Sequence, residues 1–445
     1  MFSCKEAQSI ADKIIRLAKG KQTDVLLSNR TLSLTRYADS IITQNVSENN
    51  IWNATVKIIK GDKIAKVSIN QTDDSSLKKA IDNCNYFVPA VGTKLRLVTK
   101  QKYSEVNSYN EKTASVSPDH RANLINNAVE TAKNNGLNIS GVFSNESSAM
   151  ALANSRGLFA YYPSSSAAFS CTALTEDSSG KASQVSKDIN QIDSAQLSKT
   201  AVNKALKSKN PIDLKAGQYT VILEPAAVVE FLFFMAYRGF GALAFQEGRS
   251  FMSGQMGKRI MGENISIQEN TFHPDIQGMP FDFEGIPRQK VNLIDKGIAL
   301  NVVYDRLTAK KATCQSTGHA LPQPNPYGPL PSSLIIAPGD SSIEEMIKTT
   351  KYGILISEFH YTNLIDPMKM TITGMTRNGT FLIENGVVTN GIRNMRFTDS
   401  ILRILSNVEL ITKETKLHQG FFGGSGFVVP SLKVNNFNFS SETKF

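Results

Sequence analysis

Cysteine is scarce in this chain, with four residues in 445. Cys4, Cys84, Cys171 and Cys314 lie far apart and form no CxxC pair. That excludes a disulfide framework and a local thiolate zinc site. The five histidines, His120, His273, His319, His360 and His418, include no two that are close in sequence, and no HExxH occurs. Zinc needs three or four donors converging at about 2.0–2.3 Å, so no local motif supplies a site. A phosphate-cradling GxxxxGK[ST] is missing as well. "GGSG" at 423–426 is no nucleophile elbow, because Phe427 stands where the last glycine belongs. "GFGALA" from Gly239 approaches the dinucleotide pattern but follows an expected helix instead of a strand. Ser75 and Ser76 each stand in an SxxK frame, a spacing that helix capping explains.

Runs are missing too. The net charge of +10 comes from 49 basic and 39 acidic residues scattered without any block of five like charges. It reads as solubility, and nucleic acid is not an expected partner. No uncharged apolar run approaches the roughly 20 residues of a membrane span. The oiliest stretch, "EPAAVVEFLFFMAYR", is broken by Glu224, Pro225, Glu230 and Arg238. The charged opening "MFSCKEAQSIADK" lacks the apolar region of a signal peptide. A cytoplasmic protein is the expectation, with no membrane contact.

What is present is patterning. A hydrophobic content of 41% supports a sizeable core, and the length calls for two or three domains. Apolar residues at helical spacing over 4–19 precede an alternating stretch to about residue 70 that reads as an antiparallel meander, then a helix opened by Ser75 or Ser76. Ser117 and Pro118 open another helix, strand-like segments follow at 138–144, 148–153, 157–161 and 166–174, and a helix at "AQLSKTAVNKALKSK" closes this region. From Gln218 glycine and strands dominate, with hairpins around Asp295-Lys296-Gly297 and Asn385-Gly386. The expected class is α+β: a helix–meander domain over 1–105, an α/β middle region over 106–210 and a strand-rich mixed α/β domain over 217–445. One loop, "HPDIQGMPFDFEGIPRQK", gathers His273, Asp275, Asp282 and Glu284. It stands between acid–base chemistry, which needs the carboxylate pKa values split by burial, and plain turn structure.

The ordered set "SFMSGQMGKRI", "PFDFEGIPRQKVNLIDKGIALNVVYDRLTAKK", "STGHA" and "TFLIENGVV" resembles the TldD/PmbA family, and the N-terminal helix–meander is similar as well. The resemblance spans essentially the whole chain. It implies one of two kinds of subunit. The TldD kind carries His-Glu-x-x-x-His on the helix before "SGQ", completes a zinc site with a cysteine near its C-terminus, and cleaves flexible peptides. The PmbA kind, also called TldE, lacks those ligands and pairs with TldD. Counting back from Ser253-Gly254-Gln255, the motif's histidines fall on Phe233 and Arg238 and its glutamate on Phe234. No cysteine follows Cys314.

The resemblance therefore implies a PmbA/TldE-like subunit with no catalytic residue, metal or cofactor of its own. Zinc is expected in a TldD-like partner, in a heterodimer, with a homodimer as the other arrangement and a flexible peptide as substrate. His273, Asp282, Glu284, Gly285 and His319 are the candidates for peptide or partner contact, and Asp282, Glu284 and Gly285 match the family's acidic-glycine turn. Two alternatives stand beside this reading. The chain could itself be a metallopeptidase using His273, Asp282, Glu284 or His319 as atypical ligands, or a gyrase-related, nucleic-acid-binding modulator.

Overall fold

The computed structural model describes residues 1–61, 63–84, 88–89, 97–323, 325–420 and 425–442. The glycine-containing stretch Phe421–Gly424 lies outside them. The chain opens with α1 (Cys4–Leu17), whose cap is reciprocal: Ser3 Oγ accepts from the Glu6 amide and the Glu6 carboxylate accepts from the Ser3 amide. There follow β1 (Gln22–Ala38), β2 (Ile41–Lys60), β3 (Lys63–Ile69), α2 (Asp74–Asp82) and β4 (Val88–Pro89). Helix α2 is capped by Asp73, and not by Ser75 or Ser76, because the Asp73 carboxylate accepts the Ser76 amide at 2.9 Å and the Ser75 hydroxyl at 2.6 Å. Next come α3 (Glu111–Ala114), α4 (Pro118–Lys133), β5 (Asn138–Asn154), β6 (Phe159–Leu174), β7 (Ser179–Ser186) and α5 (Ser194–Lys207).

All seven strands join one antiparallel sheet in the order β4-β3-β2-β1-β5-β6-β7. The sheet runs without a break past residue 105, since β1 pairs with β5 along almost its whole length. Strand alternation then sorts the two faces. Ala7, Ala11, Ile14, Leu77 and Ile81 from α1 and α2 pack on Val25, Leu27 and Ala151. Ile125, Ala128, Ala201 and Ala205 from α4 and α5 pack on Phe143 and Phe169 of the same face. The opposite face carries Leu152, Ala160 and Tyr162, and meets the C-terminal half of the chain.

That half begins with β8 (Gly217–Leu223), α6 (Pro225–Arg238) and α7 (Ala242–Gln246). It continues with β9 (Ile267–Glu269), β10 (Val291–Asp295), β11 (Ile298–Ala299), α8 (Arg306–Lys311), β12 (Leu334–Ile336) and α9 (Ile343–Lys348). It ends with β13 (Tyr352–Asp366), β14 (Thr371–Glu384), β15 (Val387–Gly391), β16 (Met395–Ser400), α10 (Ile401–Ser406), β17 (Val408–Gln419) and β18 (Gly426–Glu442). Strands β18, β16, β14, β13 and β8 pair in succession, and β8 pairs back onto β18, so the sheet closes on itself. Helix α6 is packed into this closure, with Phe231, Leu232 and Met235 fully buried and the Phe231 ring 6.0 Å from that of Phe359. The architecture is α+β. No helix of the described residues is long and apolar enough to cross a membrane.

Candidate functional site

The positions where the family resemblance would place metal ligands lie in the last two turns of α6. Phe233 is 40% exposed, while Phe234 is buried and stands edge-on to it at 5.5 Å. The Arg238 guanidinium lies 4.4 Å above the Tyr237 ring, a cation–π contact. Neither a phenyl ring nor a guanidinium offers a lone pair, and a guanidinium repels a dication. These three side chains do not fit a zinc ion. Among the described residues, no three His, Cys, Asp or Glu side chains converge so as to hold one.

The acidic loop folds into the seam between the two halves. Asp282 is fully buried, and its carboxylate accepts the amides of Glu284, Ile286 and Ala320, each at 2.9 Å. Burial pushes this carboxyl up, against the three amides that favour its charged form. Glu284 is largely enclosed beside it. Burial, then the Asp282 charge, push the Glu284 carboxyl up to about 8. Gly285 turns the chain at φ +82°, where a Cβ would come within 2.4 Å of Leu158. Tyr103 donates its hydroxyl to the Gly285 carbonyl at 2.9 Å. Asp282 and Glu284 thus shape a turn beneath the N-terminal sheet.

His319 is 1% exposed and belongs to a buried ionic cluster that local motifs do not reveal. Its Nδ1 lies 2.9 Å from the Thr317 hydroxyl, and its Nε2 lies 3.3 Å from Glu269 Oε1. Glu269 accepts the Ser332 and Ser333 amides at 3.1 and 2.8 Å, and Arg288 stands 3.5 Å from it. Asp282 touches this neighbourhood through the Ala320 amide. His273 does not join them. It is partly exposed, with Nδ1 accepting the Asp275 amide at 3.3 Å.

His273 precedes Pro274 and Asp275, which line a cleft. Two adjoining cavities of about 290 and 700 Å³ lie between β5–β7 and the end of β17, and share Val185, Ser186, Lys187, Asp275, Leu417, His418 and Gln419 as walls. The smaller is lined by hydroxyls, Ser108, Ser144, Ser148, Ser164, Ser165 and Ser166, around Glu146. Burial pushes the Glu146 carboxyl up, while Arg30 and Ser148 draw it down. His418 lines both cavities, and among the described residues its buried Nε2 has no hydrogen-bond partner. Burial, with Lys416 and Lys181 nearby, pushes this imidazole down to about 4, so it is neutral at physiological pH. The Lys187 ammonium ties the mouth together, donating to the carbonyls of Asn107 and Pro274 at 3.1 and 3.2 Å.

Two strand edges border the larger cavity. Among the described residues, β7 pairs only with β6, and Thr415–Gln419 of β17 pair only with β18. Among the described residues, no other backbone hydrogen bond reaches Ser183–Ser186 or Thr415–Gln419. The cleft therefore offers backbone donors and acceptors, small hydroxyls and a neutral imidazole. That chemistry suits an extended polar chain.

Comparison with known proteins agrees with the architecture. Residues 111–209 match the model of the PmbA/TldA metallopeptidase central domain, and residues 216–441 that of the C-terminal domain. A metalloprotease of Methanocaldococcus jannaschii is 27% identical over 236 residues, 53% of this chain and 52% of its own. A zinc metalloprotease TldD homolog of Saccharolobus solfataricus is 30% identical over 270 residues, 56% of each chain. The matched part spans about half the length of these curated relatives. The crystal structure of TldE from Thermococcus kodakarensis superposes with a TM-score of 0.87 at 19% identity, covering 97% of this chain and 99% of that one, which establishes a common fold. With one family model covering more than half of its length and a second matching residues 111–209, the chain belongs to the PmbA/TldD metallopeptidase family.

Proposed function

We propose that this chain is a PmbA/TldE-like, non-catalytic subunit of a cytoplasmic metallopeptidase complex. Its partner is a TldD-like chain that carries the zinc, and the complex processes unstructured peptides. The observation that carries the reading is the filling of the ligand positions by Phe233, Phe234 and Arg238, with no cysteine after Cys314, in a chain that the family models match over 111–209 and 216–441. The cleft supports the role of substrate holder. An extended peptide laid along β7 or β17 would be bound through its backbone, which tolerates varied sequences.

Expression with a TldD-like chain tests this reading. The two chains should purify together, and metal analysis should find zinc in the TldD-like chain and not in this one alone. Stoichiometric zinc on the isolated chain, or peptide cleavage by it that a chelator abolishes, overturns the assignment. The self-sufficient peptidase reading draws no support from the geometry, because Asp282 is occupied by three amides while His273 and His319 face different surroundings.

A further inference from the structure

Strand alternation builds the floor of the smaller cavity around one carboxylate. Glu146 of β5 stands opposite Leu32 of β1 and Ser166 of β6, with Ser144 and Ser148 two places along its own strand on either side. All five line the cavity of about 290 Å³. The three short serines leave a hollow around the one long acidic side chain.

That half-buried carboxylate has no counter-charge. Among the described residues, no Lys or Arg forms an ion pair with it. Arg30, on the same face of β1, reaches Glu48 at 3.9 Å instead. Lys187 is the one lysine or arginine of the cavity wall, and its ammonium donates to the carbonyls of Asn107 and Pro274. His418 is neutral, and Asp275, the remaining charged group of the wall, is acidic. Charges withdrawn from water are paired as a rule. Here the partner is left to a ligand.

We infer that the smaller cavity is a cation subsite that takes the ammonium end of an alkyl chain, with Glu146 as its counter-ion. An ammonium has three donors and no acceptor, and the carboxylate with the hydroxyls of Ser144, Ser148 and Ser166 supplies acceptors around it. Leu32, Val185, Ile276 and Leu417 add apolar wall, against which a methylene stem lies while its charged head meets the polar floor. An anion would be repelled by Glu146 and Asp275, and an uncharged apolar group would strip water from the carboxylate without replacing it. A lysine side chain of a bound peptide and a free diamine share this chemistry. The adjoining cavity of about 700 Å³, with its two strand edges, leaves room for a peptide backbone beside the subsite.

Isothermal titration of the purified full chain with Nα-acetyl-lysine amide, with its norleucine analogue and with the free diamine cadaverine tests the subsite. The norleucine compound has the stem without the ammonium and should bind about tenfold more weakly than the lysine compound, or worse. Glu146→Gln keeps the shape of the side chain and should weaken the lysine compound by a similar factor, with circular dichroism unchanged. The tighter of the lysine compound and cadaverine identifies the occupant as a peptide side chain or a free amine, and either upholds the subsite. Equal binding of the lysine and norleucine compounds overturns it, as does no binding of either amine at millimolar concentration, or a Glu146→Gln chain with unchanged affinity. The inference does not depend on the subunit assignment, since zinc on the isolated chain would overturn that reading and leave amine binding as it is.

Discussion

Asp282 illustrates how one side chain can hold a seam. Its carboxylate accepts three amides, those of residues 284 and 286, partly buried, and that of 320, buried. An unsatisfied buried donor costs about 1–3 kcal/mol. Asp282→Ala should therefore lower stability by about 3 kcal/mol or more, read by chemical denaturation, and Asp282→Asn by less, because one oxygen acceptor remains. Glu284 gives a signature in pH. Its folded-state pKa, raised to about 8, exceeds the ordinary glutamate value of 4.5. Between those values the folded chain keeps a proton that the unfolded chain releases, so this group's contribution to stability falls as pH rises from 4.5 to 8. Glu284→Gln keeps the neutral shape and should remove that fall. Melting temperatures of the two proteins should diverge in favour of the variant from pH 5 to pH 8 and run parallel above it. The short-range part of this turn was readable, since Asp two residues before an amide and a Gly at positive φ are local signals. The Ala320 amide that completes it arrives from 38 residues away and leaves no local trace.

Helix α6 and the strands around it divide the legible from the illegible in the same way. The hairpins at Asp295-Lys296-Gly297 and Asn385-Gly386 form where turn chemistry predicts, the latter with φ +50° and +80° at its two central residues. The four strand-like segments between 138 and 174 prove to be two strands of 17 and 16 residues, because polar serines interrupt the apolar alternation while the backbone pairing continues. Those serines face the cleft, so the feature that hid the strand length is what gives the cleft its polarity. His418 and Glu269 stood out from no local pattern, since their surroundings come from chain segments far away in sequence. At the C-terminus of α6, Gly239 ends the helix against Phe251, whose ring a Cβ would approach to 1.9 Å, with the Met235 carbonyl at 3.0 Å. Overpacking of this kind costs about 1–3 kcal/mol. Gly239→Ala should destabilise the protein by that amount and disturb the packing of Phe240 and Phe251, whose rings stand 5.3 Å apart. Near-ultraviolet dichroism would register the disturbance even where the melting point moves little.

The two halves of the chain meet where Met279, Phe281 and Phe283 of the acidic loop enter the face of the N-terminal sheet formed by Leu152, Leu158, Ala160 and Tyr162. Phe281 is 1% exposed, and its ring lies 5.1 Å from that of Tyr103. Polar ties flank the cluster: Tyr162 donates to the Gln277 carbonyl at 3.0 Å, and farther along Lys181 pairs with Glu358 at 2.8 Å. That ion pair is partly exposed and contributes little, while a second, between Lys204 and Glu224, adds to the coupling made by the apolar cluster. Truncating a buried phenylalanine costs about 3–5 kcal/mol. That loss falls at the junction and not inside either core, since the buried clusters of the sheet–helix half and of the strand-rich half share no residue with it. Phe281→Ala should therefore uncouple the halves more than it unfolds either one. Calorimetry should resolve two transitions for the variant where the wild type shows one, and protease should cut first near the seam. A variant that still melts in a single transition, merely at lower temperature, would show that the coupling runs through the remaining contacts instead.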